Sequence, residues 1–197
     1  MKKIFLITLT FVSLEFIAQT NAPKYSNEFL NIGVGARSLA MSNSVIISSK
    51  GAMSGYWNPA NLSNSKKDIQ IGLMHAEYFA GIAKYDFGSI VKKIDDKSSF
   101  GFSFLRFGVD NIPNTTDLID AQGNLNYDRI TYFSAADMAF IGSYGKKISD
   151  FLSIGGSVKI IHRTAGDFAK AWGFGLDIST TYEKDDWGFA IVARDVT

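Results

Sequence analysis

From Asp68 onward, apolar and polar residues alternate with a period of two. Trp172, Phe174, Leu176 and Ile178 fall on one side, with Gly173, Gly175, Asp177 and Ser179 on the other. Ile154, Gly156, Val158 and Ile160 alternate with Gly155, Ser157, Lys159 and Ile161. The same phase recurs in Trp187, Phe189 and Ile191 and in Phe100, Phe102 and Phe104. Successive side chains of a strand point to opposite faces, so this pattern is β-structure with two chemically different faces. It predicts seven strands, near 69–79, 82–94, 99–109, 135–148, 152–162, 171–183 and 187–194. Most have about the 9–11 residues that cross a bilayer at a tilt near 45°.

The connections alternate as well. Asp95-Asp96-Lys97-Ser98, Ser149-Asp150 and Lys184-Asp185-Asp186 are tight polar turns, whereas 110–134 and 163–170 read as longer loops. Short turns on one side and longer loops on the other characterise outer-membrane barrels, the short set being periplasmic. The connection Phe79-Ala80-Gly81 falls on the loop side by this count.

A soluble antiparallel sandwich would also alternate, but its wet face should carry Thr, Lys and Glu. Here that face is repeatedly Gly, Ser and Ala, which weakens an exposed strand and suits a crowded barrel interior. The predicted fold class is therefore all-β, a transmembrane antiparallel β-barrel. Tyr78, Tyr85, Tyr132, Phe133, Phe151, Trp172, Tyr182 and Trp187 lie near strand ends and are expected to form the aromatic girdles. A bacterial single-chain barrel needs an even number of strands, about eight or more. Residues 68–197 are accordingly expected to be the first half of a longer barrel, the chain being an N-terminal portion.

Residues 19–67 follow a different rule. Gly33, Gly35, Gly51 and Gly55 are interspersed with Ser, Asn and Ala, and no strand-length alternation survives. A short helix is expected over Ala36-Arg37-Ser38-Leu39-Ala40-Met41. A second starts at Pro59, with Asn58 as its N-cap and Tyr56 and Trp57 as an apolar anchor just before it. Such a glycine-rich segment buries little surface alone, so it is expected to form a hatch within the barrel. Before it, Met1-Lys2-Lys3 and the apolar run Ile4 to Val12 have the form of a secretory signal, expected over residues 1–18 with cleavage after Ala18.

Composition narrows the chemistry. Net charge is +1, and removal of the leader's Lys2, Lys3 and Glu15 leaves the remainder neutral, so no basic excess attracts nucleic acid. The absence of cysteine excludes disulfides, thiolate zinc sites, cysteine nucleophiles and a lipoprotein anchor. His75 and His162 show no metal-ligand spacing, and each reads as a strand-end or lumen histidine. Asp95-Asp96 and Asp185-Asp186 lack the spaced oxygen ligands of a calcium loop. No catalytic residue, metal site or cofactor is predicted. Arg106, Lys159 and Asp177 are expected to form a polar network in the lumen.

The stretch Glu28-Phe29-Leu30-Asn31-Ile32-Gly33-Val34-Gly35-Ala36-Arg37-Ser38-Leu39-Ala40-Met41, followed by Gly55-Tyr56-Trp57-Asn58-Pro59-Ala60-Asn61-Leu62, resembles the PorV/PorQ family of outer-membrane proteins. Gly33, Gly35, Ala36, Arg37, Trp57, Asn58 and Pro59 carry that hatch motif. Ser42 and Asn61 depart from it, each standing where the family usually has glycine. The resemblance implies a FadL-like barrel of about fourteen strands, plugged by its N-terminal segment and lacking enzyme activity. It also implies a role in type IX secretion, with the translocon or an exported cargo signal domain as partner and outer-membrane lipid around the wall. The alternative it leaves open is a FadL-like channel that passes hydrophobic small molecules.

Overall fold

In the computed structural model, which describes residues 27–120 and 122–196, the chain is a seven-stranded antiparallel sheet curved into a half-barrel. The expected signal peptide, residues 1–18, lies outside the described residues. The strands are β1 (Ile69–Tyr78), β2 (Ala83–Lys93), β3 (Ser98–Asn114), β4 (Thr131–Lys147), β5 (Leu152–Ala165), β6 (Ala169–Lys184) and β7 (Trp187–Ala193), paired strictly in chain order. No helix among the described residues is long and apolar enough to cross a membrane.

Register aligns the outward residues of neighbouring strands in rows across the sheet. Phe102 pairs with Gly142, Gly142 with Val158, and Val158 with Leu176, so one row of outward residues is continuous. The next row toward the loop side includes Phe104 and Phe140, whose rings lie 5.1 Å apart, and then Ile160 and Phe174. On the convex face Phe102, Val158, Ile160, Phe174 and Leu176 are exposed, and Phe104 and Phe140 are half-buried. The concave face is small and polar over part of its contact with the hatch: Ser103, Ser143, Ser153, Ser157, Ser179 and Thr181 are all buried.

β3 and β4 run further than their periodicity suggests. A bulge between Val109 and Ile112, with Asn111 at φ 58°, shifts the phase of β3, and pairing resumes from Ile112–Phe133 to Asn114–Thr131. One extra residue moves every later side chain to the other face, so a reading by alternation stops at the bulge. The long connection is therefore shorter than 110–134. Likewise 163–170 is mostly strand, with Arg163 in β5 and Lys170 in β6, and Gly166 (φ 53°) makes the turn between them. The turn between β2 and β3 is tied by Asp95, whose carboxylate accepts from the Lys97 N–H (2.8 Å) and the Ser98 hydroxyl (2.9 Å). Those donors hold its carboxyl below the ordinary carboxylate range.

Tyr78 and Tyr85 are not girdle residues. They share parity with Phe87 and point inward, where Tyr85 is fully buried and its ring meets Tyr78 and Phe107 edge-on. Both histidines face outward, not into the lumen: His75 pairs with Asp86, and His162 stacks on Trp172 with ring centroids 4.1 Å apart.

Residues 27–65 lie against the concave face as short 3-10 turns and two small helices, α1 (Ala36–Ala40) and α2 (Ser54–Trp57). One core joins the segment to the wall: Phe29, Leu30, Val34, Val45, Tyr56 and Trp57 pack on Tyr85, Phe87, Leu105, Ala139, Ile141 and Ile161. At roughly 1.5–3 kcal/mol for each large apolar side chain buried, this contact is the main source of order for a segment with no repeating secondary structure of its own.

Two wall glycines fix how closely the segment approaches. A Cβ at Gly145 would overlap the Pro59 carbonyl and Leu62, and one at Gly155 would overlap the backbone of Pro59 and Ala60. At Gly142, on the outward face, the nearest atom is a Phe100 ring carbon 4.0 Å away. Gly155→Val should therefore destabilise the protein by about 1–3 kcal/mol or more through overpacking, whereas Gly142→Ala should fall within about 0.5 kcal/mol of the parent. Urea titration of refolded protein in detergent checks both values. Equal midpoints would contradict the close approach.

Candidate functional site

The hatch is held to the wall by a clasp centred on Asn58 and Asn61. Pro59 starts a 3-10 helix (Pro59–Asn64), and Asn58 caps it, its Oδ1 accepting from the Ala60 N–H at 3.0 Å. A proline at the first helical position has no N–H to leave unpaired, and the asparagine satisfies the next donor. Asn58 is fully buried, and its side-chain amide donates to the Ile46 carbonyl (2.9 Å) and to Thr181 Oγ1 (2.8 Å). Thr181 in turn donates to Asn61 Oδ1 at 2.9 Å, and the Asn61 amide reaches Ser49 Oγ at 3.0 Å. One wall hydroxyl thus accepts from one asparagine and donates to the other.

Wall hydroxyls meet hatch backbone and side chains at further points. Ala60 N–H also donates to Ser179 Oγ (2.9 Å), Ser143 donates to the Gly55 carbonyl (2.9 Å), and Ser63 donates to Ser153 Oγ (2.9 Å). The inward serines pair the polar groups of an irregular segment that supplies few internal partners.

The remaining hatch-motif residues divide. Gly33 and Gly35 have φ of 92° and 91°, which L side chains rarely adopt, and they turn the chain so that the Val34 carbonyl accepts from the Trp57 indole at 2.9 Å. The Gly35 N–H points at the Met74 sulfur, 3.0 Å away. The Tyr56 hydroxyl donates to the Leu30 carbonyl. Ala36 and Arg37, in contrast, are exposed on α1 and join none of these contacts.

Lys159 and Asp177 face inward and form an ion pair at 2.8 Å, both more than nine-tenths buried. Asp195 completes the cluster at 2.7 Å from the same ammonium, and its own N–H donates to Asp177 Oδ1 at 3.0 Å. Two carboxylates around one buried cation offset its desolvation better than one would. Beside them Arg194 lies over the Trp57 ring, 5.5 Å from its centroid, and donates to the Trp57 carbonyl. The segment after β7 therefore belongs to the clasp.

Arg106 does not belong to that network. It shares parity with Phe100, Phe102 and Phe104 and lies on the outward face, with its guanidinium over Gly108. There it donates to Asp110 (2.8 Å) and lies 3.9 Å from Asp86, while Lys84 reaches Asp110 (3.3 Å) and His75 reaches Asp86 (2.6 Å) and Glu77 (3.5 Å). Six ionisable side chains thus form a zipped patch on the loop side of β1–β3.

Asn61, Thr181, Ser179, Asp195 and Arg194 make clasp contacts that the sequence pattern does not assign. Asn61 carried one signal, as the place where this chain departs from the motif's glycine. Thr181 and Ser179 carried none beyond lying on the small, polar face of β6.

Asn58→Ala removes the cap and the donor to Thr181 Oγ1, while the Ile46 carbonyl keeps the Asn61 amide, so it should cost about 1–3 kcal/mol. Thr181→Val should cost a similar amount, and the double variant less than the sum, because both lose the same bond. Limited proteolysis should then cut within 27–65 while β1–β7 stay resistant. Strictly additive losses would contradict the shared hydroxyl.

Comparison with known proteins bears on this arrangement. No curated protein matches the chain. The family model described as type IX secretion system protein PorV matches residues 17–193, a span that includes the hatch, Asn58, Asn61 and Thr181 of the clasp, and all seven strands. That match gives no support to a channel for hydrophobic small molecules. A chain matched over nearly its whole length, with its glycine turns and Asn-Pro cap seated on a half-barrel wall, belongs to the PorV family of type IX secretion system proteins.

Proposed function

We propose that this protein is an outer-membrane barrel of the type IX secretion system that binds the translocon or exported cargo through its loop end. The short turns after β2, β4 and β6 face the periplasm in this reading, and the β3–β4 loop faces outward from the cell. Family membership and the two-faced strands support the location.

The observation that carries the binding role is the form of the β3–β4 loop. Asp120 Oδ1 accepts from the Gln122 and Asn124 N–H groups at 2.9 and 2.8 Å, and an isolated bridge joins Ile119 to Leu125. This small hairpin holds out Ile119 and Leu125, and the 3-10 turn that follows it holds out Tyr127, each more than half exposed. Apolar side chains presented on an ordered loop tip fit a protein partner better than water. The charged patch on β1–β3 adds to this end, because charge on a barrel's outer face disfavours lipid contact there.

Ile119→Ser, Leu125→Ser and Tyr127→Ser together should lower copurification of translocon components or cargo about tenfold or more, a loss of at least ~1.4 kcal/mol. Barrel assembly, read by heat-modifiable gel migration, should not change. Carbonate-resistant recovery with outer membranes tests the location separately. Unchanged copurification and cargo export in the triple variant would sink the binding role.

A further inference from the structure

We propose that the outward face of β4–β6 holds one glycerophospholipid, with an acyl chain over Gly156 and Gly142 and its phosphate on Lys146. The proposal rests on the membrane location given above and not on any secretion partner.

Two side chains are missing from an otherwise full apolar row pattern. Gly156 sits in register between Tyr144 and Ile178, and Gly142 between Phe102 and Val158. The two glycines are diagonal neighbours, so the side chains around them wall a trench instead of a flat surface. Its two parts have volumes of about 550 and 460 Å³, and both are bounded by Tyr144, Gly156 and Ile178. Those volumes fall in the range of sites that enclose a small ligand. The exposed lining is mainly apolar, and Lys146 closes the lower part with Thr180 beside it.

Lys146 gives the groove its polarity. It follows Tyr144 on the outward face as the last outward residue of β4 before the turn to β5. It makes no ion pair among the described residues. Asp95, the acid that feels its charge across the turn end, is already engaged by the Lys97 N–H and the Ser98 hydroxyl. Aromatic rings cluster at this end of the sheet: Phe151 meets Tyr182 at 5.4 Å, and Trp187 stacks near Phe189 at 6.3 Å. Such rings mark headgroup depth, so the ammonium stands at the level of lipid phosphates while the trench runs into the hydrocarbon. An apolar groove capped by one free cation at that depth matches an acyl chain ending in a phosphodiester.

The test is native mass spectrometry of the full chain, extracted in mild detergent and titrated with phosphatidylglycerol. Wild-type protein should keep one phospholipid through delipidation. Lys146→Glu should lower that retention about fivefold or more. Gly142→Leu, at a position where an added Cβ meets only the Phe100 ring edge at 4.0 Å, should lower it by filling the trench. Heat-modifiable migration confirms that each variant is folded, and Lys146→Gln replaces Lys146→Glu if the latter fails to assemble. Equal retention by wild type and both variants, or retention of lipopolysaccharide alone, would overturn the proposal. Failure of the membrane location would show separately, as release by carbonate.

Discussion

The structure depends on the closeness with which an irregular segment can lie on a sheet. At Gly145 and Gly155 the Pro59–Ala60 backbone comes so near that no side chain fits between. That approach brings the Ala60 N–H to Ser179 and Asn58 to Thr181, so the wall satisfies polar groups that the hatch cannot pair internally. Without it, buried amides and carbonyls would be left unpaired, each costing about 1–3 kcal/mol. Glycine in a strand interior is ordinarily a loss of stability, and here it is the condition for the rest of the packing.

The two faces of the wall solve different problems with one period. Inward, Gly, Ser and Thr leave room and supply hydrogen bonds, and they give way to Tyr85, Phe87, Leu105 and Phe107 where the hatch offers Tyr56 and Trp57. Outward, Phe, Ile, Leu and Val fill the rows on β5–β7, while the loop side of β1–β3 turns ionic. The wall is therefore asymmetric around its circumference, with one flank fit for hydrocarbon and another for a polar environment. Parity alone places Arg106 with Asp86 and not with Lys159, since a strand offers only two directions.

Much of this was legible in the chain. All seven strands, their phase and the cap at Asn58 follow from period-two alternation and from the Asn-Pro pair, because both are local rules. The bulge at Asn111 hid the ends of β3 and β4, since one extra residue reverses the phase that the reading depends on. Tyr78 and Tyr85 look like girdle residues by position along their strands, yet their parity matches Phe87. The Arg106 assignment failed for the same reason, by weighing chemical type above parity. The contacts of Thr181 with Asn58 and Asn61 span more than a hundred residues, and no local pattern encodes them.

The clasp also explains why hatch and wall behave as one unit. Lys159, Asp177 and Asp195 join β5, β6 and the segment after β7, and Arg194 beside them covers Trp57. Removing one member of such a buried cluster leaves the others uncompensated, typically at about 3–5 kcal/mol. The hatch is then stabilised by the same residues that hold the later strands together. A movement that frees Trp57 must therefore also disturb the lysine cluster or the path of the chain beyond β7. Displacement of the hatch is coupled to the wall by geometry, through Arg194 and Thr181, and does not require a separate hinge within residues 27–65.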